Sequence, residues 1–206
     1  MLYLVTPHNT AIRSYIDQLI FGTFITPKSG SRQTPGRPWG GDNGCFTGFD
    51  IKKFEAMLER SVEYRDTCLF VAVPDVVADW TATLKRYETW HPIVRDYGYP
   101  RAIVLQDGAE THNVPWDECE AIFIGGSTEW KLSHHAASLT AEAKRRCLHA
   151  HMGRVNSYRR LAYADSIGCD TADGTFLKFA PDANLPRVLH WLDKLDSHRQ
   201  RTLWTT

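Results

Sequence analysis

The stretch Cys68-Leu69-Phe70-Val71-Ala72-Val73-Pro74-Asp75 decides the fold: an apolar run, a proline that ends it, then a carboxylate. A run with no polar alternation reads as a strand covered on both faces, the habit of parallel rather than antiparallel sheets. The plan recurs along the chain. Ala102–Leu105 leads to Gln106-Asp107-Gly108, and Ala121–Ile124 leads to Gly125-Gly126-Ser127. Leu2–Thr6, Gly22–Thr26 and Trp39–Asp42 read as earlier strands, and His149–Met152 and Cys169–Ala172 as later ones. Between them lie helical patterns. Ile51, Phe54, Met57, Leu58 and Val62 recur at helical spacing behind a capping Asp50. Val76–Arg95, with a break near Pro92, His135–Cys147, Ser157–Ser166 and Leu185–Leu195 read as further helices. Strands alternating with helices predict an α/β fold, here a compact (β/α)8 barrel forming one catalytic domain over residues 1–206. A doubly wound open sheet is the alternative.

The chain has 206 residues, 43% hydrophobic and 23% charged, which suits one packed domain and not a disordered one. No apolar run reaches the roughly 20 residues of a membrane span, and Met1–Thr10 lacks the pattern of a secretion signal. Cys45, Cys68, Cys119, Cys147 and Cys169 are odd in number and show no CxxC spacing, as reduced thiols of a cytoplasmic protein do. The 24 basic and 24 acidic side chains cancel, so any nucleic-acid partner must be gripped through local patches. Such patches exist around Lys28, Arg32 and Arg37, at Lys144-Arg145-Arg146, and at Arg154, Arg159 and Arg160, although each also reads as a solvated face.

Polar groups gather where the strands end. Asp42-Asn43-Gly44, Asp75, Gln106-Asp107-Gly108, Gly125-Gly126 and Asp170 with Asp173 all follow apolar runs. In a parallel barrel these ends share one mouth, where catalytic groups sit. Each has a plainer reading: Asp75 as a helix cap, Asp107 and Asp42-Asn43-Gly44 as turns, Gly125-Gly126 as the approach to a helix. Their coincidence at the strand ends favours a pocket of carboxylates, an amide and bare backbone.

From Trp39 to Thr175, about two thirds of the chain, these residues resemble the tRNA-guanine transglycosylase superfamily. The closer likeness is to the DNA-guanine transglycosylases of phage and bacterial 7-deazaguanine DNA modification. Asp42-Asn43-Gly44-Cys45-Phe46 is similar to the family's Asp-Ser-Gly-Gly-aromatic motif, with Asn and Cys as departures. The resemblance implies that Asp42 handles the base proton and that Phe46 stacks on the base. It makes Asp75 and Gln106 readers of the base edge and lays Gly125-Gly126 against it. Met152-Gly153 through Gly168-Cys169-Asp170-Thr171-Ala172-Asp173 resembles the family's Met-Gly…Gly-x-Asp-x-x-Asp segment. By that match Asp173 is the nucleophile and Met152 the second face of the base sandwich.

The chemistry suits these types. A carboxylate can trap C1′ of the sugar while a second carboxylate manages the proton of the base. The expected partners are DNA, gripped by Arg37, Arg154, Arg159, Arg160 and Lys178, and a free 7-deazaguanine base such as 7-cyano-7-deazaguanine, with no membrane and no cofactor. The tRNA enzymes' dimers imply a homodimer. Their Cys-x-Cys-x-x-Cys…His zinc spacing has no counterpart, so no metal is expected, and their basic segment is reduced to Gly174–Lys178, which favours DNA over tRNA. An RNA-directed transglycosylase remains an alternative. Another is a metal-dependent hydrolase using His149 and His151, which share a strand face, with Asp170 or Asp173. A third is a base-binding module without catalysis.

Overall fold

The computed structural model describes residues 1–111 and 113–203, with side chains to residue 197. Eight parallel strands close into a barrel in chain order: β1 (Leu2–Val5), β2 (Phe21–Ile25), β3 (Trp39–Gly41), β4 (Cys68–Ala72), β5 (Arg101–Leu105), β6 (Ala121–Ile124), β7 (His149–Met152) and β8 (Thr171–Asp173). Closure is made by β8 on β1, with Leu2 opposite Thr171 and Leu4 opposite Asp173. Helices α1 (Thr10–Asp17), α2 (Ile51–Arg60), α3 (Trp80–Asp96), α4 (Thr128–Lys131), α5 (His134–Arg145), α6 (Tyr158–Ser166) and α7 (Pro181–Leu203) run between or after the strands. The barrel expected from the apolar runs is the fold observed.

Strand alternation divides the core in two. Leu4, Phe24, Phe70, Ala102 and Ala121 point inward and pack together with Phe123. Tyr3, Val5, Ile25, Val71, Ile103, Leu105, Ile122 and Ile124 point outward into the larger layer beneath the helices. The interior is narrow, so large rings on some strands require their neighbours to be bare. A Cβ on Gly40 would lie 2.8 Å from Cζ of Phe70, and one on Gly22 would lie 2.5 Å from Cδ2 of Leu4. Interior layering of large against small thus explains two glycines that weaken the strand signal of β2 and β3.

Several elements depart from expectation, α4 and the longer α7 among them. Helix α1 was not foreseen; it is short, buries only Ile12 and Ile16, and starts at Asn9, whose side chain accepts from the Ile12 N–H. Helix α3 starts at Trp80 rather than Val76, because Asp79 is the residue that caps it, accepting from the Ala82 N–H. It continues through Pro92, since the carbonyl left without its helical donor belongs to Glu88, a solvent-exposed residue. Strand β8 lies later than Cys169–Ala172, at Thr171–Asp173. That shift places Asp173 at the mouth and Asp170 at the opposite end. Asp50 caps α2 as expected, accepting from the Lys53 N–H. Among the described residues no helix is long and apolar enough to cross a membrane.

Candidate active site

The C-terminal strand ends surround a cavity of about 630 Å³ whose lining includes Asp42, Asp75, Gln106, Gly125, Gly126 and Asp173. Phe46, Arg154 and Lys178 stand at its rim. These six strand-end residues, singled out from the sequence, therefore converge, whereas Asp107 and Asp170 do not line the cavity.

Asp75 follows β4 and is buried. Its Oδ1 accepts from Nδ2 of Asn43 at 2.8 Å and its Oδ2 from Nε2 of Gln106 at 2.5 Å. Gln106 cannot turn over, because its Oε1 accepts the backbone N–H groups of Ala78 (2.9 Å) and Gly126 (3.0 Å). Asn43 is fixed in the same way: Nδ2 also donates to the Val73 carbonyl, and Oδ1 accepts from the Cys45 N–H. Burial raises the Asp75 carboxyl above the usual range, and these donors hold it partly down. Gly125 leaves the space that Gln106 occupies, since a Cβ there would meet Gln106 Nε2 at 2.9 Å. Asn43 thus has a structural role: it orients Asp75.

Asp42 stands just past β3, with Oδ1 accepting from the Asn43 N–H. Burial, the Asp173 carboxylate and, more weakly, Asp75 push its pKa up to about 7. Asp173 ends β8, and its Oδ1 contacts Nε2 of His151 at 3.0 Å and accepts the Arg154 N–H at 3.3 Å. Arg154 has a positive φ of 58°, a strained setting for a side-chain-bearing residue, and this turn aims its N–H at Asp173.

The Arg154 guanidinium lies 4.4 Å from the centre of the Phe46 ring and donates to the Gly126 carbonyl. Phe46 is 63% exposed, so the pair forms an open stacking platform at the rim. Arg160 is tied to the same turn through the Arg154 carbonyl, and Arg159 is exposed beside it at the start of α6. Lys131, in the one-turn helix α4, carries no signal in the sequence. It is fully buried, donates to the Gly153 carbonyl at 2.8 Å, and is pushed down to about 8 by burial, Arg154 adding to the effect.

Several expectations are corrected. Met152 points away from the cavity into the layer beneath the helices, because it alternates with the inward His149 and His151, so it cannot cover a base. The N–H groups of Gly125 and Gly126 are committed to the Leu105 carbonyl and to Gln106, so they offer a ligand no donor. Gln106 has only the second hydrogen of its amide left for a ligand, the first being held by Asp75. Arg37 precedes β3 and donates to the Asp17 carbonyl at the far end of the barrel, remote from the mouth. Asp107 is a turn residue, accepting from the Ser127 N–H and hydroxyl. The proposed metal set divides: His151 faces Asp173, whereas His149 lies 4.0 Å from Asp170, itself paired with Lys144. Among the described residues no three His, Cys, Asp or Glu side chains are grouped to hold a metal.

No protein-family model matches the chain, and no curated protein sequence matches it. Solved structures do. One described as native KDPGal has a TM-score of 0.51 and 14% identity, covering 84% of this chain and 79% of its own. The Bacillus subtilis YkuI protein, with an EAL domain and solved with c-di-GMP and calcium, has a TM-score of 0.47 and 15% identity over 94% of this chain. Klebsiella pneumoniae BlrP1, solved with manganese and cy-diGMP, has a TM-score of 0.44 and 10% identity. This chain spans 48% of the YkuI chain and 38% of the BlrP1 chain. At 14% identity the likeness to the KDPGal structure is one of fold alone, and the chemistry must be argued from the side chains.

Proposed function

We propose that this barrel is a base-exchange enzyme of the DNA-guanine transglycosylase kind. The observation that carries the reading is the convergence of Asp42 and Asp173 on one cavity, with Asp42 raised to about 7 in part by Asp173 itself. Two carboxylates whose environments separate their roles are what glycosidic bond exchange requires. Asp173 attacks C1′ of a guanine nucleotide, the bond from C1′ to the base breaks, and protonated Asp42 supplies the departing base with its proton. A 7-deazaguanine then enters. Asp42 takes the proton from its glycosidic nitrogen as that nitrogen attacks C1′ and releases Asp173. A pKa near neutrality lets one group perform both transfers.

The Asp75 corner suits guanine and its 7-deaza relatives. The Asp75 oxygens accept from Asn43 and Gln106, with Cys45 and the Asp75 N–H also bonding to the carboxylate, and the acceptor capacity left over suits the ring N–H and exocyclic amine of such a base. The Phe46–Arg154 platform offers one stacking face, and Val104 and Phe123 line the cavity as apolar contacts in place of Met152. A base must leave its duplex stack to reach this depth. Arg154, Arg159, Arg160 and Lys178 would take the flanking phosphates, while Arg37 would not.

The test is mass spectrometry of nucleosides from DNA incubated with the protein and 7-cyano-7-deazaguanine, with tRNA in parallel. A modified deoxynucleoside that disappears with Asp173→Asn supports the reading. Modification confined to tRNA would keep the chemistry and overturn the substrate. No modification of either would overturn both.

A further inference from the structure

Beneath the mouth runs a chain of hydrogen-bonding groups that base exchange does not use directly. His151 is fully buried inside the barrel, ringed by Phe24, Phe70 and Phe123 at centroid distances of 5.6, 4.7 and 4.6 Å. Its Nε2 lies 3.0 Å from Asp173 Oδ1, and its Nδ1 lies 2.8 Å from the Thr171 hydroxyl. That hydroxyl is also 2.8 Å from Nε2 of His149.

We propose that His151 is a positioning residue for Asp173, held by Thr171 in its Nε2–H tautomer so that one carboxylate oxygen is pinned and the other is presented to substrate. This rests on Asp173 being the reacting carboxylate. The tautomer follows from the partners. A carboxylate only accepts, so Nε2 must carry the proton it shares with Asp173, and a neutral ring then accepts at Nδ1. Thr171 has one hydroxyl hydrogen, which it donates to Nδ1 of His151 while accepting from Nε2 of His149. All three links then agree in direction.

The surroundings oppose a charged ring. The faces of His151 meet three phenyl groups, and burial depresses its pKa, with Lys131 acting the same way and Asp173 opposing. His149 is depressed too, chiefly by burial. Asp173 Oδ1 thus receives the His151 N–H and the Arg154 N–H, while among the described residues no protein donor reaches Oδ2. One oxygen anchored by two donors fixes the plane of the carboxylate. Oδ2 is then the atom free to meet C1′, and the donors on Oδ1 stabilise the charge that returns when the covalent bond breaks.

The experiment is histidine ¹⁵N NMR on the resting protein, with His151 assigned from the signal lost in His151→Gln. The expected spectrum is a neutral Nε2–H tautomer from about pH 6 to 8. Thr171→Val, which removes only the hydroxyl, should turn it into a mixture of tautomers. An imidazolium, an Nδ1–H tautomer, or no response to Thr171→Val would overturn the proposal. In single-turnover base exchange, His151→Phe should lower the rate on the order of 10–100-fold at unchanged KM for DNA, and His151→Gln should recover most of it. A full rate in a folded His151→Phe protein would equally overturn it. Should the wild-type protein exchange no base, the base-exchange reading fails and the NMR result alone decides the role of His151.

Discussion

Two sides of one cavity are built on different terms. On the Asp75 side every polar group is held: Asp75 by Asn43 and Gln106, Gln106 by Ala78 and Gly126, Asn43 by Val73 and Cys45. On the other side, Asp42 and Asp173 face a shared space with few protein partners, and burial together with repulsion from Asp173 lifts Asp42. A satisfied network is rigid and presents a fixed pattern to a ligand, which is what recognition needs. A pair of carboxylates short of partners stores reactivity at a cost in stability, which is what chemistry needs. The contrast teaches that substitutions on the two sides should fail in opposite ways.

The largest effect should come from Asp173→Asn. Exchange should fall by about 10³-fold or more, because an amide oxygen is a poor nucleophile, while the thermal unfolding midpoint stays close to that of the wild type. Undiminished exchange in the nucleoside assay would remove Asp173 from the chemistry and leave the contrast without one of its members.

Asp42→Asn should slow exchange by roughly 10²–10⁴-fold and abolish the limb near pH 7 in the pH profile of kcat/KM. It should also stabilise the protein. A carboxyl whose folded pKa is raised to about 7 is disfavoured as an anion, so its penalty on folding grows as pH rises from about 4 to 7 and is full above that. The asparagine variant should therefore be more stable at pH 8 by up to about 4 kcal/mol and lose the advantage towards pH 4. Denaturant unfolding at the two pH values reads the difference. An advantage that persists at pH 4 would mean that the buried carboxylate charge is not its source.

Gln106→Leu probes the other side. It leaves the N–H groups of Ala78 and Gly126 and one oxygen of Asp75 without their partner, so unfolding free energy should drop by about 2–4 kcal/mol. Binding of the free 7-deazaguanine, followed by calorimetry, should weaken as Asp75 loses its orientation. A Gln106→Leu protein as stable as the wild type would dissolve the distinction between a held side and a strained one.

How much of this was legible in the sequence depends on which physical rule applied. Unbroken apolar runs mark parallel strands, so β4, β5, β6 and β7 stand within a residue of where the sequence reads them, and Asp75, Gln106 and Gly125-Gly126 after β4, β5 and β6 fall at one mouth. Met152 was misplaced although the means to place it were present: if His149 and His151 share a face, period two puts Met152 on the other. Asn43 and Gln106 were visible as residues, but their roles depend on who meets them across the barrel, and strand ends separated by some 30 residues of chain carry no local sign of that. Arg37 shows the same limit. Its loop leaves β2 at the mouth and crosses to the far end before β3 begins, and composition does not record direction.

The smallest effect separates the rim from the far end. Arg154 faces the cavity beside Phe46, so Arg154→Ala should weaken DNA binding by ~1 kcal/mol and make the slope of affinity against salt shallower by about one ion. Arg37→Ala removes an equal charge at the opposite end of the barrel, where it donates to the Asp17 carbonyl. It should leave both affinity and salt slope unchanged. The pair isolates position from charge, since net charge changes identically in the two variants and only the distance from the mouth differs. Equal losses would mean that DNA is held by the diffuse field of the whole protein. A loss confined to Arg154 would tie binding to the rim above the two carboxylates and place the substrate on the strained side of the cavity as well as the held one.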